Sequence, residues 1–477
     1  MKKSIAFMGL VALLTAAAEA KTKVMFYFDT EDYTCDRSND AIRDIANILA
    51  SEGVKGNFNI AGFLGVRLHE LGRTDVVAAL RRHVIGTQSL FHSRHPNITE
   101  LADDPDYRRG YRRILAEEAR GIGMLEALFG EGRVVFACPP GCSISAQAFE
   151  AYYDLGVLVN AGTGNNDLGE GAVKEGTEMV ARHGYAVDGL WYFNQLQLPY
   201  NNWFSLESMF PGRPQRPVKE VLDHLAASGD YHSLYMHPHM ALKTIHWDKP
   251  NYDKGNLVEW RQWKPAPDRD PADTAVFYER LKAFIRAMKA DDRFEITDVE
   301  ARLKELKPRR PITRAEIPAI RKALTADFKS IHEPASWCVA DAFQAATRLL
   351  RGEKEYRPGK VYGFLSRPQG VSAPTVVSAQ DLRAAAAKID LDAFLPPQIA
   401  VGGQTIGPAD FLFAALEVLE TGAEKVRVAP REQLGSFKEI PSLEFTRLNG
   451  RWLFTPDFKD EWTSDRLRLQ LWTLRIE

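Results

Sequence analysis

Between Lys23 and about Leu306, short runs rich in β-branched and aromatic residues alternate with longer stretches whose apolar residues recur at helical spacing. That alternation leaves few folds open, because strands separated by helices pair in parallel and the helices cover the sheet from outside. Val24-Met25-Phe26-Tyr27-Phe28 reads as a buried strand. Asp40 to Glu52 reads as a helix, with Ile42, Ile45, Ala46 and Leu49 on one face and Gly53 as its stop. Gly56 to Ile60 is the next strand, Asp75 to Arg82 the next helix, and Val84-Ile85-Gly86 the strand after that. A long helix from about Pro105 to Phe129 precedes the strand Val134-Val135-Phe136. Gly156 to Val159, Leu190 to Phe193 and Ser233 to Met236 complete the series. About seven strand–helix units suit a barrel better than an open sheet, and a parallel barrel gathers its chemistry at the carboxyl ends of the strands.

Four polar clusters stand just past strands. They are Asp29-Thr30-Glu31-Asp32, the run from Gln88 to His95, the turn Cys138-Pro139-Pro140-Gly141, and His237-Pro238-His239. A barrel brings all four to one face. Asp29 and Glu31 are two apart in an extended chain, so both side chains project to the same side. One of them suits a metal and the other a general base, and Asp32 is an alternative to Glu31. The plainer reading is a solvated strand-end turn. His92 and His95 stand beside Pro96, and imidazole is the commonest catalytic metal ligand and proton shuttle. Eleven histidines serve 477 residues, so their pairing next to strand ends carries weight.

The chain length suggests two or three domains. A hydrophobic content of 45% is ample for packed cores. A net charge of −2 gives no electrostatic case for nucleic acid or an acidic membrane surface. Lys2 and Lys3 precede an apolar run from Ile5 to Ala18, and Ala18-Glu19-Ala20 has the small-x-small pattern of a cleavage site. Residues 1–20 are therefore expected to be a signal peptide, and the protein to be exported to a periplasmic or extracellular space. No later stretch is apolar enough to span a membrane. The four cysteines, Cys35, Cys138, Cys142 and Cys338, lack zinc-finger spacing. In an oxidising compartment a disulfide is allowed but not required.

The barrel is expected over 21–306. A Lys/Arg/Pro-rich stretch, Lys307-Pro308-Arg309-Arg310-Pro311, opens a linker over 307–330, and 331–477 forms a smaller, mainly helical accessory domain. A faint repeat runs through that domain. Ala340-Asp341 is followed by Ala345, Ala346, Leu349, Leu350 and Gly352, and Ala409-Asp410 by Ala414, Ala415, Val418, Leu419 and Gly422. Two related units or two ordinary amphipathic helices both fit this pattern.

The order of motifs resembles that of the polysaccharide deacetylases with a NodB-type domain, a carbohydrate esterase family. The resemblance covers roughly Lys23 to Leu306, and the segment Trp247 to Trp263 looks like a loop found in one branch of these proteins. It implies a distorted (β/α)7 barrel and a divalent metal, commonly zinc, held by an aspartate and two histidines. A neighbouring aspartate is the base and a late histidine the acid. Phe28-Asp29-Thr30-Glu31-Asp32 matches the first motif with its acids spread out. Asp29 then takes the place of the base, and Glu31 or Asp32 that of the metal-binding acid. Gln88-Ser89-Leu90-Phe91-His92 occupies the second motif, so His92 matches the second ligand and Gln88 stands where the first histidine belongs. Cys138-Pro139-Pro140-Gly141 matches the turn of the third motif, with Cys138 where an arginine orients the base. His237 matches the late histidine. Pro140 and Gly141 of that turn are expected against substrate.

Gln88 offers zinc a neutral oxygen, a weaker ligand than imidazole. Cys138 cannot make the forked hydrogen bonds of arginine. Trp191, Trp203, Trp247, Trp260 and Trp263 fall in loop-like segments. Trp191 and Trp247 are expected to stack on sugar rings, the alternative being that such residues pack loops onto the barrel. Two functions follow. The first is an exported, metal-dependent carbohydrate deacetylase acting on a polysaccharide or cell-wall glycan. The other is a catalytically silent barrel that binds cell-envelope glycan, suggested by Gln88 and Cys138. A third reading, an amide hydrolase without the usual metal, has little in the sequence behind it.

Overall fold

The computed structural model describes residues 21–142, 145–161, 190–198, 200–201, 203–228, 231–253, 256–435 and 453–476, so the expected signal peptide lies outside the described residues. Strand β1 (Thr22–Thr30) is buried along nearly its whole length. Its β-branched and aromatic residues suit a strand covered on both faces. One edge of β1 pairs in parallel with β8 (Tyr231–Met236) over Lys23–Phe28. The other pairs in parallel with Phe294–Ile296 over Thr22–Val24 and with β2 (Asn57–Ile60) over Tyr27–Thr30. From β2 the parallel sheet continues through β3 (Val84–Thr87), β4 (Val134–Ala137), β5 (Val159–Ala161) and β7 (Gln195–Leu198). A parallel bridge between Tyr200 and Ser233 ties the chain beyond β7 to β8, and the Asn201 amide donates to the Ser233 carbonyl at 2.7 Å. The ring β1-β2-β3-β4-β5-β7-β8 is a distorted (β/α)7 barrel. Its irregularity lies between β5 and β7, where β6 (Leu190–Tyr192) forms an antiparallel hairpin with β7.

Helices over Ser38–Ser51, Gly62–Glu70, Tyr107–Phe129, Ala146–Asp154, Val218–Ala227 and Pro271–Lys289 surround the barrel. Val24, Phe26 and Phe28 pack outward against them, in one core with Ile42, Ile45 and Phe284. Met25 and Tyr27 point the other way, into an interior shared with Phe136, Leu196, Leu198 and Tyr231. Gly86 makes room there, since a Cβ at this position would lie 2.5 Å from the Phe136 ring. Asp29 is the next residue of β1 on the inward face, so the period of two carries it to the carboxyl mouth of the barrel.

A second core spans Ile312 to Trp472. Part of the stretch expected to be a linker belongs to it. Ile312–Thr313 pairs with Glu355–Tyr356, and Ile317–Ala326 is a helix that buries Ile317, Ile320 and Leu324. These apolar residues recur at helical spacing, which favours packing over an open connection. The core holds two units of like order. In the first, strand Ile312–Thr313, helix Ile317–Ala326, an Ile331–Trp337 bridge and helix Val339–Leu350 lead to the strand that pairs back to the start. The second runs through strand Thr375–Ser378, helix Ala379–Ala386, the hairpin Ile399–Ile406, helix Pro408–Thr421 and strand Lys425–Val428. The second helix of each starts on the same cap. Asp341 Oδ2 accepts from the Cys338 amide at 3.0 Å, and Asp410 Oδ2 from the Gly407 amide at 2.9 Å.

The chain then returns to the barrel. Arg475–Ile476 pairs antiparallel with Leu190–Trp191, and the Phe193 amide donates to Thr473 Oγ1 at 2.8 Å. Asp103 accepts from the Trp462 amide at 2.7 Å. The C-terminal region is thus built onto the side of the barrel. Among the described residues no helix is long and apolar enough to cross a membrane.

Candidate active site

Asp29, 4% exposed, sits at the inner end of a cleft of about 560 Å³ at the barrel mouth. Its Oδ1 accepts from Tyr200 Oη at 2.6 Å and from Asn59 Nδ2. Both partners come from strand ends that close the ring around β1. The Tyr200 ring stacks on Tyr235 at 4.5 Å, and its hydroxyl lies 3.1 Å from Cys138 Sγ. Cys138 holds the expected arginine's place, and the hydroxyl that orients Asp29 comes from Tyr200. Burial raises the proton affinity of the Asp29 carboxyl, and the charge of His237 works against that rise.

Glu31 lies deeper, at 1% exposure. His92 Nε2 is 2.7 Å from its Oε2, and His246 Nε2 is 2.9 Å from its Oε1. Trp247 Nε1 donates to the same Oε1 at 2.9 Å. Burial alone would raise this carboxyl's pKa, but His92 and His246 hold it well below the usual carboxylate range. His246 is in turn fixed through Nδ1, 2.7 Å from Asp248 Oδ1, and its pKa is raised well above the ordinary value despite burial, by Asp248 and then Glu31.

His237 follows β8. Its Nδ1 lies 2.7 Å from Glu207 Oε1, which leaves Nε2 between the two acids, 3.5 Å from Asp29 Oδ2 and 3.8 Å from Glu31 Oε1. Burial opposes its protonated form, yet Glu207 raises its pKa, and Glu207 itself is drawn down to about 2. His239 is buried beside them, and its Nε2 accepts from the Trp247 amide at 3.3 Å. Burial holds His239 well below the ordinary imidazole value.

The loop after β3 positions Gln88 and His92. Helix Gly62–Glu70 begins there, and the amides of Gly62 and Phe63 donate to the carbonyls of Ser89 and Leu90, each at 2.9 Å. Ser89 and His92 adopt positive φ, 62° and 52°, conformations that cost a residue with a Cβ and persist only when the surroundings impose them. Gln88 reaches the cleft with a buried Oε1 that accepts no hydrogen bond from the described residues. His95 turns away and pairs with Glu100, 2.8 Å from its carboxylate.

Four expectations need correction. Asp32 is not aimed at the cluster, because its carboxylate accepts from Thr34 Oγ1 at 2.6 Å and Ser38 Oγ at 2.5 Å and shapes the turn into helix Ser38–Ser51. Of the two acids it is Glu31 that meets the histidines. Trp247 presents no face to the cleft. It is fully buried, with its ring 4.9 Å from Tyr33 and 5.1 Å from Trp263, and it braces Glu31. Trp191 lies away from the cleft, at the seam with the C-terminal chain, where Arg309 and Arg475 sit over its ring. In the Cys138 turn, Gly141 and Pro139 line the cleft while Pro140 is buried within the turn.

Sequence reasoning did not assign Tyr200, Glu207, His246 or Asp248. Only His246 left a signal, a histidine followed at once by tryptophan and aspartate in the segment after β8. Ligand atoms of Glu31, His237 and His246 all lie within 4.8 Å of one another. Asp248 holds His246 through Nδ1, the arrangement that presents Nε2 to a metal, while Glu207 on His237 Nδ1 leaves its Nε2 to the two acids. With the open oxygen of Gln88 beside them, this set of imidazole and carboxylate donors fits a divalent ion such as zinc.

No protein-family model and no curated protein sequence matches the chain. Solved structures similar to it include a 4-alpha-glucanotransferase from Thermococcus litoralis, at 13% identity and a TM-score of 0.42 over 61% of this chain and 41% of that one. The chain thus spans about two fifths of the glucanotransferase. A CE4 family pseudoenzyme from Bacillus anthracis is similar at 12% identity and a TM-score of 0.32, over 59% of this chain and 66% of that one. A family 4 carbohydrate esterase from Streptomyces lividans, solved with acetate, is similar at 12% identity and a TM-score of 0.30, over 58% of this chain and 93% of that one. In the order of its motifs and the plan of its barrel, the chain resembles the polysaccharide deacetylases.

Proposed function

We propose that the protein is an exported, metal-dependent deacetylase that removes acetyl groups from a polysaccharide or cell-wall glycan. The observation that carries this reading is the placement of His237 Nε2 3.5 Å from Asp29 and 3.8 Å from Glu31 in one cleft. Acid, base and metal-binding groups then face a single bound acyl group. Asp29 is the base. Tyr200 and Asn59 hold one of its oxygens, so the other is turned toward His237 and the cleft. Burial raises its proton affinity, which suits a group that must take a proton from water. His237 is the acid, and Glu207 keeps its Nδ1 fixed and favours its charged form, leaving Nε2 to protonate the departing amine or alkoxide. Glu31 and the imidazoles beside it would hold a divalent ion, which would supply Lewis-acid polarisation of the acyl carbonyl. Export rests on the sequence pattern of residues 1–20.

Acetate release from acetylated chitin oligomers, peptidoglycan or acetylated exopolysaccharide, at zinc or cobalt saturation, tests the reading. No release from folded, metal-loaded protein with any of these sinks it. The silent-binder reading draws on Gln88 and Cys138, the two positions where the motif pattern is broken. It gains if glycan binds while no acetate appears.

A further inference from the structure

Cys138 stands where the motif pattern expects an arginine, and it meets the tyrosine that holds Asp29. We infer that Cys138 and Tyr200 act in series as positioning residues, the thiol donating to the Tyr200 hydroxyl and that hydroxyl to Asp29, so that two neutral donors hold the carboxylate in place of one cation. The series of hydrogen bonds rests on geometry, and only its effect on a rate rests on the deacetylase reading.

Counting protons fixes the direction of each bond. Asp29 Oδ1 faces Asn59 Nδ2, which can only donate, and also accepts from Tyr200 Oη at 2.6 Å. A phenol has one proton, and here it is committed to Asp29. The Tyr200 oxygen therefore meets Cys138 Sγ, 3.1 Å away, with a lone pair, and the thiol supplies the proton between them. A hydroxyl that accepts one hydrogen bond donates the next more strongly, so the thiol reinforces the bond to Asp29. Both groups are fixed without help from a substrate. Cys138 directly follows β4, its amide donates to the Thr87 carbonyl at 2.9 Å, and Pro139 and Pro140 restrict the backbone after it. Tyr200 is bridged to Ser233, and its ring lies on Tyr235 at 4.5 Å and 12°. Both residues are buried, at 1% and 6% exposure. With Oδ1 held in this way, Asp29 Oδ2 is left facing His237 at 3.5 Å.

The test has two arms on the full chain, with circular dichroism checking the fold of each variant. The first needs no activity. The S–H stretching band of Cys138, assigned in the infrared spectrum by its absence from Cys138→Ala, is expected to move to higher frequency in Tyr200→Phe, which removes the acceptor and keeps the ring. A band that stays in place overturns the inference. The second arm is acetate release by metal-loaded protein. Cys138→Ala is expected to lower kcat about 3–10-fold with KM unchanged, as for the loss of one weak donor behind the base. Cys138→Ser keeps a donor and is expected to recover part of that loss. In the Tyr200→Phe background, Cys138→Ala is expected to change kcat by less than about 2-fold, because the thiol acts only through the hydroxyl. An equal loss in both backgrounds, or a Cys138→Ser variant as slow as Cys138→Ala, overturns the inference. A wild type that releases no acetate sinks the deacetylase reading, and the infrared band then decides the hydrogen-bond series by itself.

Discussion

Glu118 lies beneath the loop that carries His92, and replacing it with glutamine gives a stability gain whose size depends on pH. The residue sits on helix Tyr107–Phe129, is fully buried, and accepts from Tyr152 Oη at 2.9 Å. Three residues on, a Cβ at Gly121 would lie 3.2 Å from Leu90 Cα, so this turn of the helix packs directly on the loop. Burial raises the carboxyl from 4.5 to about 8. The folded state therefore binds a proton that the unfolded state has lost, and stability falls as pH rises from about 4.5 through about 8. At 1.36 kcal/mol for each tenfold change in proton activity, the full loss is about 5 kcal/mol, most of it reached by pH 8. Glu118→Gln has the shape of the protonated acid and cannot ionise. Denaturant unfolding of wild type and variant at about pH 4.5 should agree closely, with the variant ahead by about 3 kcal/mol at pH 7 and about 5 kcal/mol at pH 9. A difference that does not change with pH, or a wild type that gains on the variant as pH rises, refutes the reasoning.

Other outcomes are expected elsewhere. Tyr200→Phe removes a hydrogen bond to the Asp29 carboxylate, an interaction worth about 1.5–3 kcal/mol, so acetate release should fall about 10–100-fold. Its pH–rate profile should move to higher pH, and an unchanged rate and profile speak against Asp29 as the base. Gly86→Ala forces a methyl into the Phe136 ring and should cost about 1–3 kcal/mol, read as a lower denaturation midpoint. His83 is buried, accepts from the Gly56 amide at 3.1 Å, and has its pKa lowered from 6.5 to about 4. The neutral ring is favoured in the fold, so it contributes stability above about pH 6.5 that is lost toward pH 4, about 3 kcal/mol in all. That part of the acid slope should be missing in His83→Gln.

The barrel is legible because each strand is an unbroken run of buried residues and each helix repeats at its own period. The period of two along β1 also gives the inward face of Asp29, since Met25 and Tyr27 precede it on the same side. The choice between Glu31 and Asp32 is not legible. It turns on the hydroxyls of Thr34 and Ser38, which reach Asp32 only once the chain has turned into its first helix. Tyr200 gives no warning of its role, because a tyrosine after a short strand reads as ordinary sheet. It faces Asp29 only because the bridge to Ser233 closes the ring. The tryptophans mislead for a related reason. Loop-like composition says that Trp247 is near a strand end but not which way the ring turns, and burial between Tyr33 and Trp263 decides that. The basic, proline-rich run before Ile312 masks the helical spacing of Ile317, Ile320 and Leu324, which places that helix in the second core.

The most direct test of the functional account is acetate release by zinc-loaded protein compared with Asp29→Asn at equal metal content. Release by the wild type and its loss in the variant are expected, with metal content and fold unchanged. Equal release by both proteins, or none from a metal-loaded wild type, contradicts it.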